Sequence, residues 1–320
     1  MTPAEAAKKI SEFLGTGEEE AEKILDKSVV AGELASAENA EPWIEERLKP
    51  NTVFIDEAGY SKMCIDALKI LKNTAATDYG SSRMRDLGQL WADMTRGYLG
   101  ELAFSLFMKA RHGLDIKLGH ERGTLEEFLP TDIHGIVDPV TNQVRQPNIR
   151  TSVKSTKLNG IWLDIPGAQF GHSDAHILVK LGTGRDHLFA FFKSISVFRD
   201  KVLKTGRDQG QITEAESEEI WNNLPSFTRI PAYISGYVPK DASYSSLSYD
   251  GKKGKKHFTV TSWNGPIVAG DTDRIKRERR ISGNVKFEGI GEFAHDSGYL
   301  FSTGKLLWSD SDWKKLAAKL

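Results

Sequence analysis

The apolar pattern of this chain changes period near its middle, and that change limits the folds open to it. Residues 83–110, RMRDLGQLWADMTRGYLGELAFSLFMKA, place Trp91, Met94, Tyr98, Glu101, Ser105 and Met108 on one stripe at spacings of three and four, which predicts a long helix. From 130 to 195 the pattern becomes one of short strands, at 132–137, 148–155, 161–165, 175–181 and 187–192. The segment DPVTN at 138–142 is a turn by composition. A helix followed by a mixed sheet of about five strands is an α/β (α+β) arrangement.

The flanks differ from this centre. Residues 1–50 read as helices, with Ile10, Phe13 and Leu14 at helical spacing and a break at Gly15-Thr16-Gly17. Residues 212–223 also read as helix, starting near Thr213 or Glu214. The last third is turn-rich, with RIPAYISGYVP, HFTVTSWNGPIV and NVKFEGIGEF as strands. The closing SDSDWKKLAAKL reads as a helix capped by Ser309 or Ser311. Three parts are expected: a helical region at 1–82, a core at 83–225 and a β-rich basic region at 226–320.

Composition removes several classes. With 39% hydrophobic and 27% charged residues, a core can form. The single cysteine, Cys64, excludes a disulfide framework and a thiolate zinc site, and a reducing, cytoplasmic location is expected. No apolar run has membrane-spanning length, and MTPAEAAKKISEF lacks the apolar stretch of a signal peptide, so no membrane partner is expected. Net charge is -1, from 43 basic and 44 acidic residues. The charge is segregated: residues 1–50 hold 6 basic and 12 acidic residues, and 251–320 hold 14 and 8.

Within the centre, Ser152 and Lys154 share one strand face because i and i+2 point the same way. A hairpin through DPVTN is expected to bring their strand beside that of Asp132, and the Glu101 helix to pack across the same face. Glu101 interrupts an apolar stripe, which is unfavourable for a carboxylate without a partner. Gly97 and Gly100 beside it permit close approach of another backbone or ligand. An acid on a helix, an acid at a strand start and a lysine on the next strand are the equipment of phosphodiester hydrolysis. Carboxylates hold Mg²⁺, and the lysine assists the attacking water or the charged transition state.

The order GYLGELAF, PTD at 130–132, TSVKS at 151–155 and SDAHILVKL resembles the PD-(D/E)XK nuclease superfamily, type II restriction endonucleases in particular. The resemblance implies a restriction-endonuclease-like core, a mixed central sheet flanked by helices. It implies Glu101 as the helix acid, Asp132 as the aspartate of the Pro-Asp element (with Thr131 intervening) and Lys154 as the motif lysine. Asp174 becomes a structural residue opening the next strand, and IPAYISGYVPKD at 230–241 resembles a stretch that follows such cores. Ser152 departs from the pattern, standing where the family has an acid. Some of these enzymes also read Ser-Val-Lys and recruit an acid from elsewhere, for which Glu101 is the first candidate and Asp164 the second.

Other signals are weaker. His172 and His176, four apart, would lie about 13 Å apart on a strand, too far to share a metal. His134, two residues past Asp132, is either a phosphate contact or an ordinary polar residue. The segments GTGR at 182–185 and GYLFSTGK at 298–305 complete no phosphate-loop motif. Two basic clusters are expected to bind DNA from loops: Lys252, Lys253, Lys255 and Lys256, then Arg274, Lys276, Arg277, Arg279 and Arg280. Thr261, Ser262, Trp263 and Asn264 between them are candidate readers of bases.

The expected function is Mg²⁺-dependent, sequence-specific cleavage of double-stranded DNA. By family analogy it is carried out by a homodimer on a short palindromic site. The alternatives are a non-catalytic DNA-binding protein on a decayed nuclease fold and a structure-specific repair nuclease.

Overall fold

The computed structural model describes residues 1–71, 86–119, 131–138, 140–242, 249–254, 256–293 and 296–320. The chain opens with α1 (Pro3–Leu14), α2 (Glu18–Val30) and the short α3 (Ala40–Pro42), which runs into a π-helical turn over Trp43–Leu48. Then come β1 (Thr52–Ile55), α4 (Glu57–Leu71), α5 (Leu87–His112), β2 (Asp115–Leu118), β3 (Ile133–Val137), β4 (Val144–Arg145), β5 (Thr151–Lys157) and β6 (Trp162–Pro166). Next are α6 (Gly167–Phe170), β7 (Ala175–Leu181), α7 (Arg185–Ser194), α8 (Lys204–Asp208) and α9 (Glu214–Asn223). The chain closes with β8 (Ile230–Pro239), β9 (Tyr249–Lys253), β10 (Phe258–Val268), α10 (Gly270–Arg279), β11 (Val285–Phe287), β12 (Ser297–Ser302) and α11 (Asp310–Lys319). The architecture is α+β.

The main sheet has the order β1-β8-β7-β5, with β5 parallel to β7 and the other pairs antiparallel. A second sheet runs β11-β10-β12-β6 with β9 on β10, and a third runs β2-β3-β4. One face of the main sheet carries Val153, Ile177, Val179 and Ile234, packed with residues of α4, α5, α7 and α11. The other face is covered in two parts. Tyr233 and Leu158 pack against α1, α2 and the π-helical turn, while Leu178 and Val238 pack against Leu163, Ile165 and Phe301 of the second sheet.

Local chemistry explains α5. Asp86 caps its start by accepting the Gln89 N–H, and Gly113 ends it with a left-handed φ of 66°. At 26 residues it is about 39 Å long and lies across β5 and β2. Gly100 permits that approach, since a Cβ there would lie 3.0 Å from the Ser155 Cβ. Thr213 caps α9, and of the two candidate serines Ser309 caps α11.

Several expectations are corrected. Residues 187–192 form part of helix α7, because His187, Ala190 and Phe191 bury one helical stripe. Strand β3 pairs with β4, and β5 pairs with β7 instead of β3. The three expected parts interleave. Strand β1 from the first part and β8 from the last build the main sheet, and β6 from the centre joins the second sheet.

A buried ionic cluster clamps these parts together. The Lys180 Nζ on β7 lies 2.5 Å from Glu33 Oε1, and Arg47 Nε lies 3.9 Å from Glu33 Oε2, with all three side chains at most 3% exposed. Tyr233 Oη and Trp43 Nε1 also donate to Glu33. Burial alone would push the Glu33 carboxyl up, but the adjacent Lys180 and Arg47 cations overcome it and hold it at about 2. Removing one partner from such a pair costs about 3–5 kcal/mol. Lys180→Met and Glu33→Gln should each lose that much in urea unfolding, and Glu33→Leu/Lys180→Met should lose less than their sum. With a folded value below the ordinary 4.5, Glu33 contributes its full stabilisation above about pH 4.5 and loses it as pH falls through about 2. Glu33→Gln should flatten that acid limb of the stability curve.

Candidate functional site

Strand β5 is an edge strand, and its free edge is occupied by the residues before β3. The Asp132 N–H donates to the Thr151 carbonyl at 2.8 Å, and Asp132 Oδ2 accepts the Val153 N–H at 2.6 Å. Thr131 Oγ1 accepts the N–H groups of Thr151 and Ile133, both at 3.2 Å. Asp132 therefore reaches β5 through its own N–H and carboxylate rather than through the expected hairpin. Pro130 lies outside the described residues.

Lys154 is the next residue on that strand. Alternation puts Ser152 and Lys154 on the face opposite Val153 and Ser155, and the parallel register sets Ser152 beside His176 and Lys154 beside Leu178. Lys154 Nζ donates to Gln169 Oε1 at 2.8 Å. Gln169 sits on α6, anchored by its neighbour Phe170. The Phe170 ring stacks on Tyr299 at 3.6 Å and on His176 at 5.1 Å, while His176 Nε2 donates to the Phe170 carbonyl at 3.2 Å. Burial pushes the His176 imidazole down to about 4, so the ring is neutral near pH 7 and serves as a packing and hydrogen-bonding element. Sequence reasoning missed Gln169: one polar residue in a four-residue helix carries no periodic signal.

The candidate acids sit differently. Helix α5 covers the Val153/Ser155 face of β5, and Glu101, on that helix, is 8% exposed. This corrects the expectation that α5 crosses the Ser152/Lys154 face. Asp164 alternates with Leu163 and Ile165, which pack toward Leu178, so it projects from the other face of β6. Among the described residues, no three His, Cys, Asp or Glu side chains form a group able to hold a metal. The donor chemistry still suits Mg²⁺, which takes one or two carboxylates and completes its shell with water and substrate phosphate. Asp132 gives one of about four lone-pair sites to Val153.

Asp174 opens β7 by clasping Arg150, with Oδ2 accepting its backbone N–H at 2.9 Å and an ion pair at 3.3 Å. Cys64 is buried and its thiol is pushed up to about 11 by burial, which leaves it unreactive. His134 lies half-buried on β3.

The basic clusters are more structured than loops. Lys252 and Lys253 lie on β9, and Arg274, Lys276, Arg277 and Arg279 lie on α10. Arg274 pairs with Asp271 at 3.1 Å and Lys276 with Asp273 at 3.5 Å. Arg279 lies over the Tyr249 ring at 5.0 Å, and Lys253 Nζ donates to the Arg279 carbonyl. Lys256, Arg277 and Arg280 are exposed, while Lys255 lies outside the described residues. Trp263 does not read bases: it is fully buried, and its Nε1 donates to the Pro266 carbonyl. Asn264 is half-buried opposite Phe301, Thr261 is buried, and Ser262 contacts Ser302.

No protein-family model matches the chain, no curated protein matches it in sequence, and no solved structure matches its fold.

The Asp132–Val153 bond has a measurable structural role. Losing a charged acceptor at a part-buried N–H costs about 1.5–3 kcal/mol, so Asp132→Ala should lower the urea midpoint by that equivalent. Asp132→Asn keeps an acceptor oxygen and should lose less than half as much.

Proposed function

We propose that the chain is a type II restriction endonuclease, a hydrolase that makes Mg²⁺-dependent, sequence-specific cuts in double-stranded DNA on a restriction-endonuclease-like core. The observation that carries the reading is the bond from the Val153 N–H to Asp132, which seats a carboxylate on the edge of β5 one residue from Lys154. Parallel β5 and β7, with a long helix packed behind them, support the same core. Cleavage at a palindromic site would call for a homodimer.

In this reading Asp132, with Glu101, would hold Mg²⁺. The ion supplies charge neutralisation at phosphate and a more acidic water. Lys154 positions the attacking water or stabilises charge on the phosphate oxygens. Gln169 aims the ammonium without neutralising it, because an amide brings a dipole rather than a charge. Ser152 contributes a hydroxyl on the same face and no negative charge.

A second reading, a DNA-binding protein that does not cut, is favoured by Ser152 at the acidic position and by the lack of a three-ligand metal group among the described residues. Plasmid digestion with and without Mg²⁺ separates the two. Wild type should give discrete fragments only with Mg²⁺, and Lys154→Ala and Asp132→Asn should each slow cutting at least about a hundredfold. Equal rates for both variants and wild type would overturn the site. Binding without cutting would favour the second reading, and preference for branched DNA a repair nuclease.

A further inference from the structure

We propose that the solvent face of the β9-β10-β11 ribbon is a phosphate-backbone contact for duplex DNA, made by Lys252 and Lys286 with Lys256 at its end. The inference rests on the DNA reading above and assigns its contacts to a particular face.

The register supplies the geometry. Thr259 on β10 pairs with Lys252 on one side and with Lys286 on the other, so the three residues form one row across the ribbon. Strand spacing places the two lysine Cα atoms about 10 Å apart. Their neighbours Val285, Phe287, Phe258 and Val260 point the other way, into a core shared with Ile275 of α10. The row therefore faces solvent, and α10 lies on the opposite side. Lys256 is exposed two residues before Phe258, whose N–H donates to the Asn284 carbonyl at 3.1 Å, which sets it near the start of β11.

Charge accounting separates this face from four of the other basic residues. Arg274 and Lys276 are paired with carboxylates, Arg279 lies against Tyr249 and Phe258, and Lys253 is turned to the Arg279 carbonyl. Among the described residues, Lys252, Lys256 and Lys286 form no ion pair. Glu288, just beyond Lys286, is neutralised by Lys27 of α2. Asp250, opposite Ser262, bounds the face. Lysines without protein counter-charges gain most from phosphate, because binding releases condensed counterions and replaces no existing ion pair. The contact carries no base code, since lysine offers phosphate a point charge without a planar fork.

The test is the salt dependence of binding to a mixed-sequence duplex, measured without Mg²⁺ so that no cutting intervenes. Each phosphate contact contributes about 0.9 to the slope of log K against log salt, so Lys252→Ala/Lys286→Ala should reduce the slope by about 2. Lys252→Arg/Lys286→Arg should restore it. Lys8→Ala, on the exposed face of α1, should leave it unchanged. If wild type binds and the double alanine variant keeps the full slope, this assignment is wrong while the DNA reading stands. An equal loss in Lys8→Ala would also overturn it, by showing a diffuse charge effect. If wild type binds no duplex, the assignment and the reading beneath it fall together.

Discussion

The Glu33 carboxylate is the point on which the molecule closes. It has lost all contact with water and remains charged because Lys180 comes from the main sheet and Arg47 from the π-helical turn. Arg47 Nη2 also donates to the carbonyls of Ser235 and Thr303, which brings in β8 and the turn after β12. Charge buried this deeply is tolerable only when every member has a partner. The N-terminal helices, the main sheet and the C-terminal β region are thereby held in one relative position. That position closes the layer between the two larger sheets, where Gln169 meets Lys154.

At β5 the demands of folding and of proposed chemistry coincide. An edge strand leaves backbone N–H and carbonyl groups without a neighbour, and Thr131 and Asp132 take up those of Thr151 and Val153. The same bonds deliver a carboxylate to the strand that carries Lys154. Helix α5 stiffens the strand from behind through Gly100, and the stacked rings of Phe170, Tyr299 and His176 hold Gln169 in front. The lysine is thus directed by packing on both faces of one short strand.

Much of this was legible in the sequence. The long helix, the strand at Ala175–Leu181, the common face of Ser152 and Lys154, and the Ser309 cap all follow from local periodicity and capping. The segment HLFAFF was misread as a strand because a short apolar run fits either period, and only its burial at His187, Ala190 and Phe191 separates them. The pairing of Arg274 with Asp271 and of Lys276 with Asp273 was present as a spacing of three in DTDRIKRERR, a signal that a count of basic residues overlooks. Trp263 was misassigned because its neighbours are polar, while the fold turns its ring into the core of the second sheet.

By itself the sequence determined the local elements, their caps and the relative facing of residues within one strand, since these depend on neighbours a few positions away. The tertiary structure alone decided which strands pair, which face of β5 receives α5, and that Lys154 meets Gln169. It also decided that the outward row of the ribbon is Lys252–Thr259–Lys286. Most of these outcomes require segments fifteen or more residues apart to bury surface together, a choice that no local pattern encodes.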